Sequence, residues 1–283
     1  MMDIGAIIAE VNSIRIGPEL SDADIKALVR IYVSLYDCSV VLPDGHLLPH
    51  GADYGEKIDE LFGECRLRGA SGQPVSRRAL IVPVMYELLY STMRGLSPEQ
   101  ADICRRYMHE TVAEWLENRE EVPETGILRI ICDMLCYSDP GARASDERFI
   151  LFKKTVAEWA AELDGAGCWP DIETGEALGR LDILSRNGSV FLDTAHERTT
   201  EAARGHYFRL LTARDGNDMR IGELFMLYDI VVWGTVLPDM EKAGRIAEIA
   251  SELLGAHSAG DSDRLTLLAI LTDCHCKMAL EKI

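Results

Sequence analysis

Four acidic residues lie within stretches of sequence that are otherwise apolar, and they are the first candidates for chemistry: Asp229, Glu87, Asp182 and Asp133. The positions three and four residues from Asp229, which neighbour it on a helix, are all apolar: Phe225, Met226, Val232 and Trp233. Burying a carboxylate costs free energy unless it is paired, and such a site can raise its pKa towards values suited to general acid–base catalysis. The four acids are therefore the catalytic candidates. The alternative for each is exposure to solvent or a bond to a neighbouring helix end.

The histidine and cysteine spacings do not complete a metal site. In Cys274-His275-Cys276 the two thiols are two residues apart, so on a helix they point roughly 200° apart and one zinc ion cannot readily take both. Cys132 and Cys136 have helical spacing, but nothing nearby supplies further ligands. No glycine-rich phosphate loop and no local nucleophile motif is present. We therefore expect no metal and no cofactor. The sequence leaves catalysis open and favours a protein that is not an enzyme.

The chain is strongly acidic. It has 283 residues, with 47 aspartates and glutamates against 29 lysines and arginines, and a formal net charge of -18. This charge opposes binding to nucleic acid or to anionic lipid, and the longest apolar run, 224–237, is too short to span a bilayer. We therefore expect neither a nucleic-acid partner nor a membrane, whereas a basic protein partner is compatible with the charge.

The eight cysteines and the first residues indicate a cellular location. Many of the cysteines fall inside apolar helical patterns, which is typical of buried free thiols in a reducing compartment. The N-terminal stretch MMDIGAIIAEV has no basic residue before its short apolar segment, so it does not resemble a signal peptide. We expect a cytoplasmic protein.

A group of arginines flanks the segment RGASGQPVS, which covers residues 68–76 and is the best linker candidate. The group consists of Arg66, Arg68, Arg77 and Arg78. These side chains could bind an anion or an acidic partner. We favour the simpler interpretation that they balance the surrounding acids.

Apolar residues recur at intervals of three and four almost throughout the chain, which predicts an all-α fold. Ser97 before Pro98 and Ser21 before two aspartates are typical helix starts. The spacing predicts about twelve helices, near 2–14, 22–41, 54–67, 77–94, 98–119, 123–137, 145–163, 172–186, 194–213, 217–236, 239–255 and 262–281. Two short runs, 39–42 and 189–192, have β-like composition, and each is either a helix end or an isolated extended segment.

One segment of the chain is similar to another 49 residues later. ETGILRIICDML begins at Glu124 and ETGEALGRLDIL begins at Glu173, and the match aligns Asp133 with Asp182 without a gap. A single amphipathic hairpin cannot bury its apolar face, whereas stacked hairpins share one core. The match therefore predicts stacked antiparallel αα-hairpins in an α-α superhelix or helical-repeat array. Closure of the array into an α/α toroid is the alternative.

Both similar segments carry a glycine in the first helical turn, at Gly126 and Gly175. Glycine costs roughly 1 kcal/mol relative to alanine inside a helix. A glycine in this position indicates either that another backbone packs closely against it or that the helix end frays, and we favour close packing at both positions.

The domain prediction is a single helical domain over residues 1–283. The alternative is a division near residue 72, into an N-terminal subdomain 1–68 and a helical-repeat body 77–283. The connections between the predicted helices are mostly short, so neighbouring helices are expected to pack antiparallel.

Three functions fit these observations, and they belong to different classes. The favoured one is a protein-interaction or scaffold module for an unidentified protein partner, and the acidic charge is compatible with a basic one. The second is a carboxylate-based hydrolase or lyase of the α/α-toroid type, which requires its acids to converge on one concavity. The third is a helical bundle that binds a small molecule, with Asp229 and Trp233 in its pocket. An exposed apolar patch or a strongly acidic patch, without a deep pocket, favours the first.

Overall fold

A computed structural model describes residues 4–41, 54–118, 124–136, 145–191, 194–214, 220–233, 239–257 and 262–281. These residues form twelve α-helices and no strand, which confirms the predicted all-α class. The helices are α1 (Ile4–Asn12), α2 (Asp22–Val41), α3 (Tyr54–Arg68), α4 (Val75–Tyr90), α5 (Pro98–Glu117), α6 (Glu124–Cys136), α7 (Glu147–Ala166), α8 (Thr174–Phe191), α9 (Thr194–Thr212), α10 (Ile221–Tyr228), α11 (Met240–Leu254) and α12 (Ser262–Leu280). No described helix combines the length and apolar character that a membrane span requires.

The observed helices follow the predicted ones in order and number, and the β-like runs are helical as far as they are described. α2 continues to Val41 and α8 to Phe191. The largest difference concerns the helix predicted over 217–236. Regular α-helix covers Ile221–Tyr228 and continues as a π-helical turn over Asp229–Trp233, while the two ends of the predicted range lie outside the described residues.

Two helix starts form the reciprocal hydrogen bonds of a capping box. At α5 the Gln100 backbone N–H donates to Ser97 Oγ at 3.2 Å, and the Ser97 N–H donates to Gln100 Oε1 at 3.1 Å. At α2 the Asp24 N–H donates to Ser21 Oγ at 3.1 Å, and the Ser21 N–H donates to Asp24 Oδ2 at 2.9 Å. Each box satisfies donors that the first helical turn leaves without intrahelical partners. The predicted helix starts at Ser97 and Ser21 are confirmed.

Backbone contacts divide the chain into two compact units. The first comprises Met1–Glu114 and Gly244–Ile283, and the second comprises Trp115–Ala243. The alternative boundary near residue 72 falls inside the first unit, between α3 and α4, which pack against each other.

The first unit is built around α2, which contacts α3, α4 and α12. Side chains such as Leu28, Ile31 and Leu35 are fully buried, and buried residues occur on every side of the helix, as expected for a central helix. Ser34 on α2 donates a 2.8 Å hydrogen bond to Asp273 on α12, and Cys38 contacts Cys276 one turn later. The residue numbers increase in the same direction along both helices, from 34 to 38 on α2 and from 273 to 276 on α12, so the two helices run parallel.

The second unit is built around α8, which contacts α6, α7, α9 and α10. Leu178, Leu181 and Leu184 of α8 are fully buried. The two similar segments form α6 and the first part of α8, and these helices pack against each other. The prediction of close packing is wrong at Gly175, where an added Cβ would meet no atom within 4 Å. The superhelix and toroid arrangements stay predictions.

Candidate functional site

Glu87, the predicted catalytic candidate of the first unit, forms a buried ion pair. Its Oε2 lies 2.6 Å from Nη2 of Arg30, which joins α4 to α2, and the two side chains are only 5% and 1% exposed. A buried carboxylate is tolerated when a cation compensates its charge. The structure therefore gives Glu87 an evident role in packing α2 against α4.

Asp133 and Asp182 come together at one guanidinium group in the second unit. Arg129 lies one turn before Asp133 on α6, with Nε 3.5 Å from its Oδ2, and its Nη1 donates to Asp182 on α8. Asp182 also accepts a 2.8 Å hydrogen bond from Nε of Arg186. The positions that match in the two similar segments thus share a cation and tie α6 to α8.

Asp229 opens the π-helical turn and is 6% exposed. Aromatic rings surround this part of the chain: Tyr228 lies 5.7 Å from Phe225 and 6.5 Å from Trp233, measured between ring centroids. Single π-helical turns occur often at functional sites. Asp229 belongs to the second unit and Glu87 to the first. A catalytic role for Asp229 stays a prediction.

The arginines that flank residues 68–76 bind carboxylates within the first unit. Arg68 donates to Asp22 at 2.6 Å and to Glu64 at 2.7 Å, and Arg78 pairs with Glu114. Both arginine side chains are buried, at 3% and 2% exposure. The interpretation that these cations balance neighbouring acids is confirmed for Arg68 and Arg78.

The stretch from the second half of α7 to the first turns of α8 carries acids and no basic residue. No lysine, arginine or histidine occurs from Thr155 to Gly179. Six carboxylates lie in this segment: Glu158, Glu162, Asp164, Asp171, Glu173 and Glu176. The first five are exposed and Glu176 is half-buried. We call these six residues the acidic corner. The segment therefore carries a net negative charge, and the basic residues just outside its two ends, Lys154 and Arg180, pair with Glu158, Glu162 and Glu176.

Backbone geometry fixes the turn of the acidic corner. α7 ends at Gly167, whose φ of 70° suits glycine, and the Gly167 N–H donates to the Leu163 carbonyl at 2.7 Å. The buried Trp169 follows, and its backbone N–H donates to the hydroxyl of Tyr207 on α9 at 3.2 Å. The turn is therefore anchored to α9.

Arg180 of α8 organises the inner side of the acidic corner. Its guanidinium carbon lies 4.8 Å from the Trp159 ring centroid and 6.0 Å from that of Trp169, within cation–π range. The same group lies 3.4 Å from Glu162 and 3.3 Å from Glu176. Arg180 thus joins α7, α8 and the turn between them.

An open pocket of about 480 Å³ lies beside the acidic corner. Its lining residues come from the start of α8 and from the two sides of the α9–α10 connection: Ile172, Glu173, Thr174, Arg214, Arg220 and Glu223. Arg214 donates to Glu223 at 2.7 Å and to Thr174 Oγ1 at 3.4 Å. Glu173 belongs to both the pocket and the acidic corner. Asp229 and Trp233 do not line this pocket.

Arg129, which joins Asp133 and Asp182, was not among the residues predicted from the sequence. One signal was available, since Arg129 and Asp133 have the i,i+4 spacing of a helical ion pair, as do Asp182 and Arg186. The bridge from Arg129 to Asp182 depends on the packing of α6 against α8. No pattern in one segment reports that contact.

These features define an all-α protein of two compact helical units with an exposed acidic corner. No protein-family model, curated protein or solved structure matches the chain.

Proposed function

We propose that the protein is a helical interaction module whose acidic corner binds a basic protein surface. The acidic corner is the observation on which the proposal depends. Within it Asp171 and Glu173 are exposed, whereas Glu158 lies 4.0 Å from Lys154 and Arg180 pairs with Glu162 and Glu176. Exposed charge of one sign speeds the encounter with a partner of opposite sign and selects against like-charged partners.

The basic residues elsewhere support this proposal, because most of them are engaged internally. Among the described residues, most lysine and arginine side chains have a carboxylate within 4.0 Å. The chain as a whole retains its net charge of -18. A negative field of this kind attracts cationic surfaces at moderate ionic strength.

The pocket beside the acidic corner gives the proposed surface a concave element. Its volume of about 480 Å³ accommodates a side chain of a partner. Glu173 on its edge offers a carboxylate to a lysine or arginine, and Thr174 offers a hydroxyl group.

The other two functions have less support. Glu87, Asp133 and Asp182 each bind an arginine. This pairing gives less support to a cluster of acids that acts in general acid–base catalysis. Asp229 and Trp233 do not line the pocket beside the acidic corner, so binding of a small molecule by these two residues would need a different pocket.

Two further predictions belong to the same proposal. A cytoplasmic location is supported by the described cysteines, which are free thiols. A helical-repeat arrangement is supported by the match between the two similar segments and by the packing of α6 against α8.

Affinity capture from an extract of the native host tests the proposal. The test variant Glu158→Gln/Asp171→Asn/Glu173→Gln removes three charges from the acidic corner. We expect this variant to capture at least tenfold less partner than the wild-type chain does. The wild-type chain should release the partner as salt rises, since exposed charge pairs are screened.

A matched control variant removes three exposed charges from the first unit, through Glu19→Gln, Glu99→Gln and Asp102→Asn. It has the same net charge as the test variant, so it should retain the partner. Circular dichroism is the check that both variants fold. Equal loss in both variants would indicate unspecific attraction to a polyanion, and a captured partner without an excess of basic residues would refute the proposal.

A further inference from the structure

Two cysteines from distant parts of the sequence meet in the first unit. Cys38 lies in the last turn of α2 and Cys276 lies four residues before the end of α12. Their thiols are hydrogen-bonded to each other, and the two residues are 1% and 2% exposed. The contact therefore joins parallel helices that are separated by more than two hundred residues of chain.

The surrounding contacts fix this pairing. One turn before the thiols, the 2.8 Å hydrogen bond from Ser34 to Asp273 sets the register of α2 against α12. Cys274 lies two residues from Cys276 on the same helix, so it points to a different side. Of the two thiols on α12, the one hydrogen-bonded to Cys38 is therefore Cys276.

The hydrogen bond also makes the two thiols chemically unequal. It lowers the pKa of Cys38 and raises the pKa of Cys276 well above its ordinary value, with burial adding to the second effect. Cys38 also lies in the last turn of α2, next to the exposed Val40 and Val41, so it is the thiol that a small oxidant reaches first.

We propose that Cys38 and Cys276 form an intramolecular disulfide when the protein meets a hydroperoxide. The Cys38 thiolate attacks the terminal peroxide oxygen, the O–O bond breaks, and the alkoxide leaves with a proton as the alcohol, which gives a sulfenic acid on Cys38. The Cys276 sulfur then attacks the Cys38 sulfur, the S–O bond breaks, and water leaves with the Cys276 proton. Each hydroperoxide thus oxidises two thiols and is itself reduced.

Access to the buried thiols follows from their position near helix ends. Val40 and Val41 beside Cys38 are 50% and 39% exposed. Terminal helical turns open more readily than helix centres. Opening of the last turn of α2 exposes the thiolate to a small hydroperoxide while the rest of the first unit stays folded.

The disulfide closes a long loop of chain and ties α2 to α12. A cross-link over such a loop stabilises the folded state, mainly by restricting the unfolded chain. For a unit of this size we expect the oxidised protein to unfold roughly 4–16 °C above the reduced protein. Oxidation would thus increase the stability of the first unit without a ligand.

Peptide mapping of the full chain tests the pairing. After treatment with tert-butyl hydroperoxide, alkylation of free thiols and trypsin digestion, peptide 31–57 should be linked to peptide 265–277 with the loss of two hydrogens. Peptide 31–57 contains Cys38 as its single cysteine, whereas peptide 265–277 contains Cys274 and Cys276. A dithiol reductant should release the link.

Cysteine variants distinguish the partners. The link should disappear in Cys276→Ser and persist in Cys274→Ser and in Cys65→Ser, which changes a buried thiol of α3. In Cys276→Ser a dimedone probe should label Cys38 more strongly than in wild type, because the sulfenic acid is no longer resolved. A wild-type chain that shows no link after oxidation, or a link that survives Cys276→Ser, would overturn the proposal.

Discussion

Asp133 and Asp182 occupy matching positions in two similar sequence segments, and both contact the guanidinium group of Arg129. Acids within apolar helices are candidates for catalysis when they face a cavity. Here Arg129 of α6 contacts both carboxylates, and Arg186 also binds Asp182. The two aligned acids are therefore compensated by arginines where α6 packs against α8.

Arg129→Met should destabilise the second unit strongly. Asp133 is 6% exposed, and loss of the arginine leaves a buried carboxylate without its compensating cation. Breaking a buried ion pair in this way costs about 3–5 kcal/mol. The free energy of unfolding from urea titration measures the effect. Arg105→Met removes an exposed pair with Asp102 and serves as the control, with an expected change below about 1 kcal/mol.

The double variant Arg129→Met/Asp133→Asn tests the cause of that loss. If the destabilisation comes from the uncompensated charge, the double variant should be more stable than Arg129→Met alone. A coupling energy of about 1–3 kcal/mol is expected for groups in contact. Additive effects of the two substitutions would show that Arg129 stabilises the unit through packing instead.

A carboxyl group of α2 should make stability depend on pH. Asp37 accepts a 2.9 Å hydrogen bond from the Met93 N–H, and burial raises its pKa to about 6, with Asp273 adding to the shift. Between the ordinary pKa and this raised value the folded state binds more protons than the unfolded state. The contribution of Asp37 to the free energy of unfolding therefore falls as the pH rises through this window.

Asp37→Asn should remove that pH dependence while keeping an acceptor for the Met93 N–H. We expect the variant to match wild type near pH 4 and to be about 1 kcal/mol more stable at pH 7.5. This figure is reduced from the full shift because the side chain is partly exposed. Urea titrations at four pH values measure the difference. Asp102→Asn, on an exposed side chain, should change stability by less than about 0.5 kcal/mol at each pH.

Helix existence and helix starts could be predicted from sequence because their causes are local. Ser97 and Gln100 are three residues apart, so the capping box depends on one turn of chain. The i,i+4 pairs of Arg129 with Asp133 and of Asp182 with Arg186 are local in the same sense. A search of the sequence for such pairs would have predicted that arginines compensate the charges of Asp133 and Asp182.

The contacts that distinguish this fold are not local. Arg30 meets Glu87 across 57 positions, and Ser34 meets Asp273 across 239. Neither pair has a spacing that a single helix encodes, because each depends on which helices pack together and in which direction. The pairing of Cys38 with Cys276 follows from the parallel α2–α12 contact for the same reason.

Ser97→Ala should weaken the start of α5 by about 1 kcal/mol. The substitution removes the oxygen that accepts from the Gln100 N–H, and loss of a serine cap costs about 0.5–2 kcal/mol. Ser97→Asp restores an acceptor and should recover most of the stability. Ser71→Ala changes an exposed serine before α4 and should stay within about 0.5 kcal/mol of wild type. Equal stability of Ser97→Ala and wild type in urea titration would contradict the assigned cap.

Variants of the buried pair Arg30–Glu87 distinguish two quantities: the free energy lost when one partner is removed, and the contribution of the intact pair relative to apolar side chains. Arg30→Met leaves Glu87 buried beside an apolar side chain, and we expect a loss of about 3–5 kcal/mol in the free energy of unfolding. Arg30→Met/Glu87→Leu fills the same region with apolar groups and should lie within about 2 kcal/mol of wild type.

Lys57→Met, which removes an exposed pair with Glu60, should cost less than about 1 kcal/mol and is the matched control. If the double variant is as unstable as Arg30→Met, the ion pair itself is required, since uncompensated charge would then not explain the loss. Recovery in the double variant would show that α2 and α4 need a filled and charge-balanced interface, which apolar side chains provide equally well.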